Sequence, residues 1–178
     1  MISGGETAVE RQADDESIAS LRRAIGNSFP AEPYLGAITP CDQDGEWPEE
    51  LDDDEDLYKT LPGLKWTAVP EELLQRQPSG FGLLTNTAFV AFFAAWLTRA
   101  LDDIDGENQV REFVVYSFCD NLRQYRILDV NQRSVLRSVL MEFSKRERNR
   151  FVREKASEAV ALIDWFLAKY GERGANAD

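Results

Sequence analysis

The chain has 178 residues, which suffice for one compact domain of ordinary size but not for two domains with full cores. Hydrophobic residues make up 43% and aromatic residues 11% of the sequence, so a wholly disordered chain is excluded. Histidine is absent, which excludes Ser-His-Asp and Cys-His catalysis and the HExxH type of zinc site. The two cysteines, Cys41 and Cys119, form no CxxC pair, so we expect neither a disulfide framework nor a structural zinc site.

Charge is distributed very unevenly along the chain. Residues 1–58 contain 16 acidic and 3 basic residues, whereas residues 59–178 contain 16 acidic and 17 basic residues. The net charge of -12 disfavours nucleic acid and anionic membrane surfaces as partners. All seven prolines fall within residues 30–78, so we expect regular helix mainly on either side of that region.

The first third of the chain predicts little regular structure. Residues 1–15 are polar and aperiodic and are predicted to be a loose arm, followed by a single helical domain over residues 16–178. A short helix is predicted from Ser17 to Ser28, because Ile18, Leu21, Ile25 and Phe29 share one face. Residues 30–56 are then predicted to be an acidic, proline-punctuated loop.

The strongest helix signal lies in the middle of the sequence. A brief helix is predicted to open at Pro70, with acids in its first turn. Thr85 then suits the N-cap of a longer helix to about Asp102, whose apolar run 88–97 is about half the length that a membrane crossing needs. That helix is apolar nearly all round and is therefore expected at the centre of the fold. Its aromatic stripe is predicted to be core: Phe89, Phe92, Phe93 and Trp96.

Further helices complete the prediction of an all-α domain of about five to six helices. The helix from Glu107 to about Asn121 is expected to turn Val110, Phe113, Val114 and Phe118 toward the core. Asp129 and Gln132 predict a capping box. Two apolar faces follow it: Val135, Leu136, Val139, Leu140 and Phe143 in the first, and Val152, Ala156, Ala159, Ile163, Phe166 and Tyr170 in the second. The pattern does not decide whether these faces belong to one bent helix or to two helices.

Several short segments resemble a known group of proteins. They are the segments 84–89 (Leu-Thr-Asn-Thr-Ala-Phe) and 128–140, together with 63–66 and 24–30. The chain resembles a family of small, uncharacterised bacterial proteins in which Leu-Thr-x-x-Ala-Phe and Leu-x-x-x-Gln-x-x-Val recur in that order. The resemblance covers roughly residues 18–145 and implies an all-helical order of elements and a bacterial origin. It implies no functional residue, and Phe93-Ala94 stands where family members often carry a helix-kinking proline.

One loop partly matches the calcium-binding pattern. Asp103, Asp105, Gly106 and Glu112 fit four of the five required positions, but the first position falls on Leu101, which has no side-chain oxygen. A glycine turn between two helices explains the same residues without a metal. We therefore predict no metal site and no cofactor.

The acidic block, defined as Asp42–Asp56, contains ten acids and no base. It is interpreted as a solvated loop, as a docking surface for a basic partner, or as a segment that folds back on the chain's own basic stretch, Lys145–Lys155. Glu147 and Glu154 neutralise part of that stretch, which favours a solvated helix face over a nucleic-acid site. Asp164, an acid flanked by large apolar residues on both sides, is expected to turn outward rather than act in catalysis.

These observations favour a non-enzymatic, cytoplasmic protein that masks a basic site on a partner such as a toxin or effector, in the manner of an immunity or inhibitor protein. No catalytic residue, nucleic acid or membrane is expected. The predicted partner-binding residues are Asp42, Asp44, Glu46, Trp47, Glu49, Glu50, Asp52, Asp53, Asp54, Glu55, Asp56 and Tyr58. The alternatives are a small carboxylate- or metal-dependent enzyme of unrecognised type and an adaptor subunit of an oligomer.

Overall fold

The computed structural model of the protein describes residues 8–39, 52–102, 106–119 and 122–170. Within these ranges it contains eight α-helices and no strand, which confirms the predicted all-α class. The helices are α1 (Ala8–Ser28), α2 (Asp52–Thr60), α3 (Glu71–Arg76), α4 (Asn86–Ala100), α5 (Gln109–Cys119), α6 (Arg123–Ile127), α7 (Val130–Arg146) and α8 (Arg150–Tyr170). Two 3-10 turns, Trp66–Ala68 and Gly80–Leu83, lie between them. None of the helices in the described ranges is long and apolar enough to cross a bilayer.

Five long helices pack in a ring around one core. Helix α1 contacts α4 and α7, α7 contacts α8, α8 contacts α5, and α5 returns to α4. Two contacts show that α5 runs parallel to α8. Arg111, near the start of α5, lies beside Glu147, just before α8, and Cys119, at the end of α5, donates a hydrogen bond to the carbonyl of Lys155 further along α8. Helix α8 runs antiparallel to α7, since Arg137 pairs with Asp164. The short helices α3 and α6 also contact α4.

Helix α4 is the most deeply enclosed element, as its apolar sequence predicts. All four residues of the predicted aromatic stripe are buried, and the rings of Phe89 and Phe93 stack with centroids 4.5 Å apart. Thr85 is the N-cap, and its hydroxyl oxygen accepts a hydrogen bond from the backbone N–H of Ala88 at 3.2 Å. The same hydroxyl donates to the carbonyl of Ala37, which ties the segment before α4 to its first turn.

The beginning of the chain is more helical than predicted. Helix α1 begins at Ala8 rather than at Ser17, so the arm predicted for residues 1–15 is wrong from residue 8 onward, and residues 1–7 lie outside the described residues. Its first turns are rich in Ala, Glu, Gln and Arg, which favour helix without needing an apolar face. Ile25 and Phe29 are fully buried at its other end, whereas Ile18 and Leu21 are only partly buried.

Two short helices, α2 and α6, were not predicted, which explains why the total is eight rather than five to six. The predicted acidic loop includes residues 52–56, but α2 begins at Asp52. Acids in a first turn interact favourably with the helix dipole, and the fully buried Leu57 and Leu61 hold the helix on the core. The high charge of this segment, taken alone, predicts no regular structure.

The chain after Asp129 forms two helices. Asp129 and Gln132 make the predicted capping box at the start of α7. Helix α7 ends at Arg146, and α8 starts at Arg150, after a turn in which the side chain of Glu147 accepts a hydrogen bond from the backbone N–H of Asn149. All five predicted core residues of α7 are buried, as are those of α8 except Tyr170, which is 44% exposed.

Helix α5 buries two stripes rather than one. Val110, Val114 and Phe118 are buried as predicted, but Phe113 is 42% exposed and Val115 is fully buried. Arg111, Val115 and Cys119, spaced by four residues, are all buried and lie on the side that meets α8. A helix packed between two neighbours needs a second buried stripe, which a single-face pattern does not predict.

Candidate functional site

Helix α2 carries the part of the acidic block that the structure describes. Leu57 and Leu61 are fully buried, and a Cβ built on Gly80 would lie only 3.2 Å from Leu57 Cδ2. Gly80 therefore permits the close approach of α2 to the 3-10 turn before α4. Consequently, the four consecutive acids at residues 52–55 begin a helix that is fixed on the core.

The predicted partner-binding residues fall into three groups. Asp42, Asp44, Glu46, Trp47, Glu49 and Glu50 lie outside the described residues. For Asp52, Asp53, Asp54 and Glu55, the structure describes only the helical backbone. Asp56 and Tyr58 are described in full.

Asp56 and Tyr58 both contact other parts of the protein. The carboxylate of Asp56 pairs with Arg76 at the end of α3, at 2.9 Å. Tyr58 is half-buried and packs against the core, with the Lys59 ammonium 6.0 Å from its ring centroid. These two residues thus attach the end of the acidic block to the fold.

The described end of the acidic block and the basic stretch Lys145–Lys155 contact different elements. Leu57, next to the block, packs against Gly80, and Asp56 pairs with Arg76 at the end of α3. The basic stretch includes Glu147, which pairs with Arg111, and Arg111 also donates to the carbonyl of Ala100 at the end of α4.

Much of the basic stretch is paired with neighbouring carboxylates. Three ion pairs are local: Arg146 with Glu142 at 3.1 Å, Arg150 with Glu154 at 2.7 Å, and Lys155 with Glu158 at 2.6 Å. Arg153 in addition donates to the carbonyl of Glu147. Glu154 therefore neutralises part of this stretch, as predicted, whereas Glu147 pairs with Arg111, which lies outside the stretch.

The pair formed by Arg111 and Glu147 is buried and joins three parts of the fold. Their side chains are 1% and 6% exposed, with Arg111 Nη1 2.6 Å from Glu147 Oε2. Arg111 also donates to the carbonyls of Ala100 and Asp102, and its guanidinium lies over the ring of Phe143. This set of contacts links the end of α4, helix α5 and the turn between α7 and α8.

The segment considered for calcium has a structural role in the part that is described. Asp103 and Asp105 lie outside the described residues, and Leu101 is buried. The Asn108 amide donates to the carbonyls of Arg99 and Asp102 and accepts from the backbone N–H of Arg111. Among the described residues, no group of three or more potential metal-ligating side chains comes together.

Asp164 points outward, as predicted, and pairs with Arg137 across α7 and α8. Arg137 Nε and Nη2 donate to its two carboxylate oxygens at 2.6 and 2.8 Å. These hydrogen bonds hold the pKa of Asp164 below its usual value. By contrast, burial lowers the pKa of Arg133, whose guanidinium donates to the carbonyls of Tyr125 and Arg126 at the end of α6.

A polar cleft of about 160 Å³ lies between α4, α3 and the 3-10 turn at Trp66. Its polar side chains are Thr67, Glu71, Thr98, Arg99 and Asp102, and its apolar wall includes Trp66. The hydroxyl of Thr98 and Nε of Arg99 are buried atoms with no hydrogen-bond partner within the described protein. Such donors cost about 1–3 kcal/mol each when nothing accepts from them.

The charges of the cleft balance one another. Arg99 Nη1 lies 3.0 Å from Asp102, and Nη2 lies 3.3 Å from Glu71, while Asp102 also pairs with Arg22 from α1. None of the sequence motifs described above predicts this cleft. The available signal was the change from an apolar run to Thr98-Arg99 at the end of the central helix.

Comparisons with protein-family models, with curated proteins and with solved structures found no match for this chain. The resemblance to the small bacterial family therefore stays a prediction that rests on its motifs.

Proposed function

We propose that the chain is a non-enzymatic protein-binding module whose acidic block attracts a basic region of a partner protein. A toxin or effector that is held inactive by such a module fits this chemistry. The observation that carries the proposal is that four consecutive acids, Asp52–Glu55, form the beginning of a helix. Leu57 and Leu61 anchor this helix on the core.

Charge and anchoring supply different parts of binding. The excess of acids in residues 1–58 creates an electrostatic field. This field steers a basic partner toward the acidic part of the chain and raises the association rate. A helix already fixed on the core loses less conformational entropy on binding than a free loop does. The two features together favour a docking surface over a segment that only keeps the chain soluble.

The pairing of the chain's own basic stretch favours an external partner. Three of its cations, Arg146, Arg150 and Lys155, pair with adjacent carboxylates. Pairs of this kind leave less charge to attract the acidic block within the same molecule. The partner expected here therefore brings its own cluster of Lys or Arg.

The test compares three forms of the full chain as baits in affinity capture from the native host. One is unchanged, one carries amides at residues 52–55, and a control carries amides at Asp15, Glu16, Glu72 and Glu107, which are exposed and outside the block. The unchanged chain and the control should capture the same basic protein, and the variant in the block should lose it. Capture of that protein by all three forms would contradict the proposal.

Kinetics with the captured partner give a second criterion. Steering is screened over about 8 Å at physiological ionic strength, so the association rate should fall at least ten-fold between 20 mM and 500 mM salt. The dissociation rate should change much less. An association rate that does not depend on salt would show that charge is not the basis of recognition.

Exposed aromatic side chains favour one second candidate, an adaptor subunit of an oligomer. Phe151 and Trp165 on α8 are 73% and 52% exposed, and Phe113 and Tyr116 are exposed on α5. Large exposed apolar groups are typical of interaction surfaces. Light scattering on the purified chain distinguishes the two candidates. The oligomer hypothesis requires a mass of at least two chains, and one chain has a mass of 20.2 kDa.

A further inference from the structure

We propose that two copies of this chain form a dimer in which helix α8 of one copy packs antiparallel against helix α8 of the other. The contact is made by four exposed aromatic side chains, which we call the aromatic face: Tyr116, Phe151, Trp165 and Tyr170. Such a dimer is one form of the oligomer considered above and therefore rests on that second candidate. No residue of the acidic block takes part in it.

The exposed aromatic side chains are concentrated on two neighbouring helices. Phe151, Trp165 and Tyr170 of α8 are 73%, 52% and 44% exposed, and Tyr116 of α5 is 42% exposed. Among the described residues, every strongly exposed aromatic side chain lies on α5 or α8. Residues 171–178, which follow α8, contain no large apolar side chain that could cover this surface. An apolar patch of this kind is typical of a surface that another protein covers.

Helix geometry places Phe151 and Trp165 on the same side of α8. They are fourteen residues apart, so they lie about 21 Å apart along the axis and differ by only about 40° around it. Tyr170 extends this surface, because its ring centroid is 6.2 Å from that of Trp165. The exposed aromatic groups of α8 therefore follow one line along the helix.

Tyr116 joins this line from the neighbouring helix. The Arg111–Glu147 and Cys119–Lys155 contacts each join residues that are 36 positions apart, so the parallel helices α5 and α8 keep one register. Position 116 is therefore level with position 152, near the start of α8. Tyr116 also lies three residues before Cys119, which makes the two neighbours on the helix surface.

The spacing along α8 suits a two-fold contact. In a symmetric dimer, when one residue contacts a second residue of the other copy, the reverse contact is made as well. Two antiparallel α8 helices that place Phe151 against Trp165 of the second copy thus make this aromatic contact twice. A second copy therefore carries the complementary groups at the required separation.

Charge permits a second copy at this surface, although the whole chain carries a net charge of -12. Helix α8 contains four basic and three acidic residues, whereas the excess of acids lies in residues 1–58. Glu158, midway between Phe151 and Trp165, pairs with Lys155 at 2.6 Å. The midpoint of the dimer therefore brings two compensated ion pairs together. A strongly basic partner would find no excess of negative charge here.

The exposed aromatic area agrees with what a stable dimer requires. A fully exposed aromatic side chain offers about 150–250 Å², so the exposed fractions of the aromatic face correspond to about 400 Å² in each chain. A stable interface buries about 800 Å² on each partner. The aromatic face thus supplies about half of that area. Exposed neighbours on α8, among them Glu158 and Ala161, are available for the rest.

The experiment is sedimentation equilibrium of the full, purified chain over a range of protein concentrations. The mass should approach that of two chains of 20.2 kDa each, and it should do so in 500 mM salt as well because the contact is apolar. Phe151→Ser and Trp165→Ser should each weaken the dimer by about 100-fold or more, since symmetry removes each contact twice. Both side chains are more than half exposed, so these changes leave the core intact.

The matched control is Phe113→Ser, a third exposed aromatic position. Phe113 is 42% exposed on α5, but it lies two residues from both Arg111 and Val115 and therefore on the opposite side of α5 from the stripe that meets α8. The dimer should persist in this variant. A monomeric unchanged chain would overturn the proposal. A dimer that survives both serine changes in α8 would also overturn it, while leaving the oligomer candidate in place.

A cysteine at the midpoint tests the antiparallel arrangement. In a Cys41→Ser chain, Glu158→Cys lies at the two-fold axis, where helices about 8–10 Å apart bring the two cysteines within reach of a disulfide. Arg150→Cys lies eight residues from the axis, so about 24 Å separates the two copies and no cross-link should form. Cys119 is buried and does not compete. Cross-linking through Arg150→Cys but not through Glu158→Cys would refute the arrangement.

Discussion

The buried pair of Arg111 and Glu147 provides the sharpest test of what holds this fold together. The substitution Glu147→Gln keeps the size of the side chain but leaves it one acceptor oxygen. Glu147 uses both of its oxygens, one toward Arg111 at 2.6 Å and one toward the backbone N–H of Asn149 at 2.8 Å. In the variant, one of these two donors faces an amide NH2 group, and Arg111 keeps its charge without the opposing carboxylate.

The expected loss of stability follows from the burial of the pair. Removing one partner of a buried ion pair costs about 3–5 kcal/mol, and we take about 3 kcal/mol because Arg111 retains its bonds to the carbonyls of Ala100 and Asp102. With a urea m-value of about 2 kcal/mol/M, the unfolding midpoint should fall by about 1.5 M. This is a large share of the about 5–15 kcal/mol that stabilises a typical domain.

The measurement is urea unfolding at pH 7, followed by far-ultraviolet circular dichroism. The matched control is Glu154→Gln, which breaks the Arg150–Glu154 pair, of similar length but 76% and 51% exposed. That change should leave the unfolding midpoint nearly unchanged, because solvent screens an exposed pair. Equal midpoints for Glu147→Gln and Glu154→Gln would refute the reasoning.

Three other substitutions test local features of the fold. Gly26→Ala should stabilise the protein by about 0.5–1 kcal/mol, because Gly26 lies in α1 with nothing within 4 Å of an added Cβ. Gly63→Ala has equally open space but should cost about 1–2 kcal/mol, since its φ of 76° is left-handed; thermal unfolding that showed the same sign for both would contradict this contrast. Asp164→Asn should cost about 0.5 kcal/mol at pH 7. Because the pKa of Asp164 is lowered in the folded state, its contribution is complete above the ordinary aspartate pKa of about 3.9 and is lost as the pH falls through the lowered value. Unfolding curves of Asp164→Asn and the unchanged chain should therefore converge in acid, and a difference that persists there would exclude the ion pair as its source.

Features encoded by neighbouring residues were predictable from the sequence. The Thr85 N-cap and the capping box of Asp129 and Gln132 depend on residues three positions apart, and both are present. The burial of α4 follows from an apolar run that no exposed helix could carry. The core face of α7 follows from a spacing of three and four residues, which helix geometry requires.

Features that depend on distant partners were not predictable in the same way. The number of acids in α2 predicts a loop, whereas the burial of Leu57 and Leu61 against the core favours a helix there. The cleft joins Trp66 and Leu74 with Thr98 and Arg99, which come from three separate elements. The spacing of residues within any one of these elements does not predict that the three elements form a cleft together. The acidic block itself was identified by composition, which indicates charge but not the shape of a surface.

The contacts of the segment Pro30–Thr39 determine whether the fold survives cleavage of the chain by a protease. The backbone of Tyr34 exchanges hydrogen bonds with Leu64 and Gly63, and its hydroxyl meets that of Thr87 at 2.7 Å. Ile38 is fully buried, as is Phe29 just before the segment. A protease that cleaves between residues 40 and 51 should therefore produce two fragments that stay associated under native conditions and separate only in denaturant. The two fragments, expressed apart and mixed, should reconstitute the same helical domain.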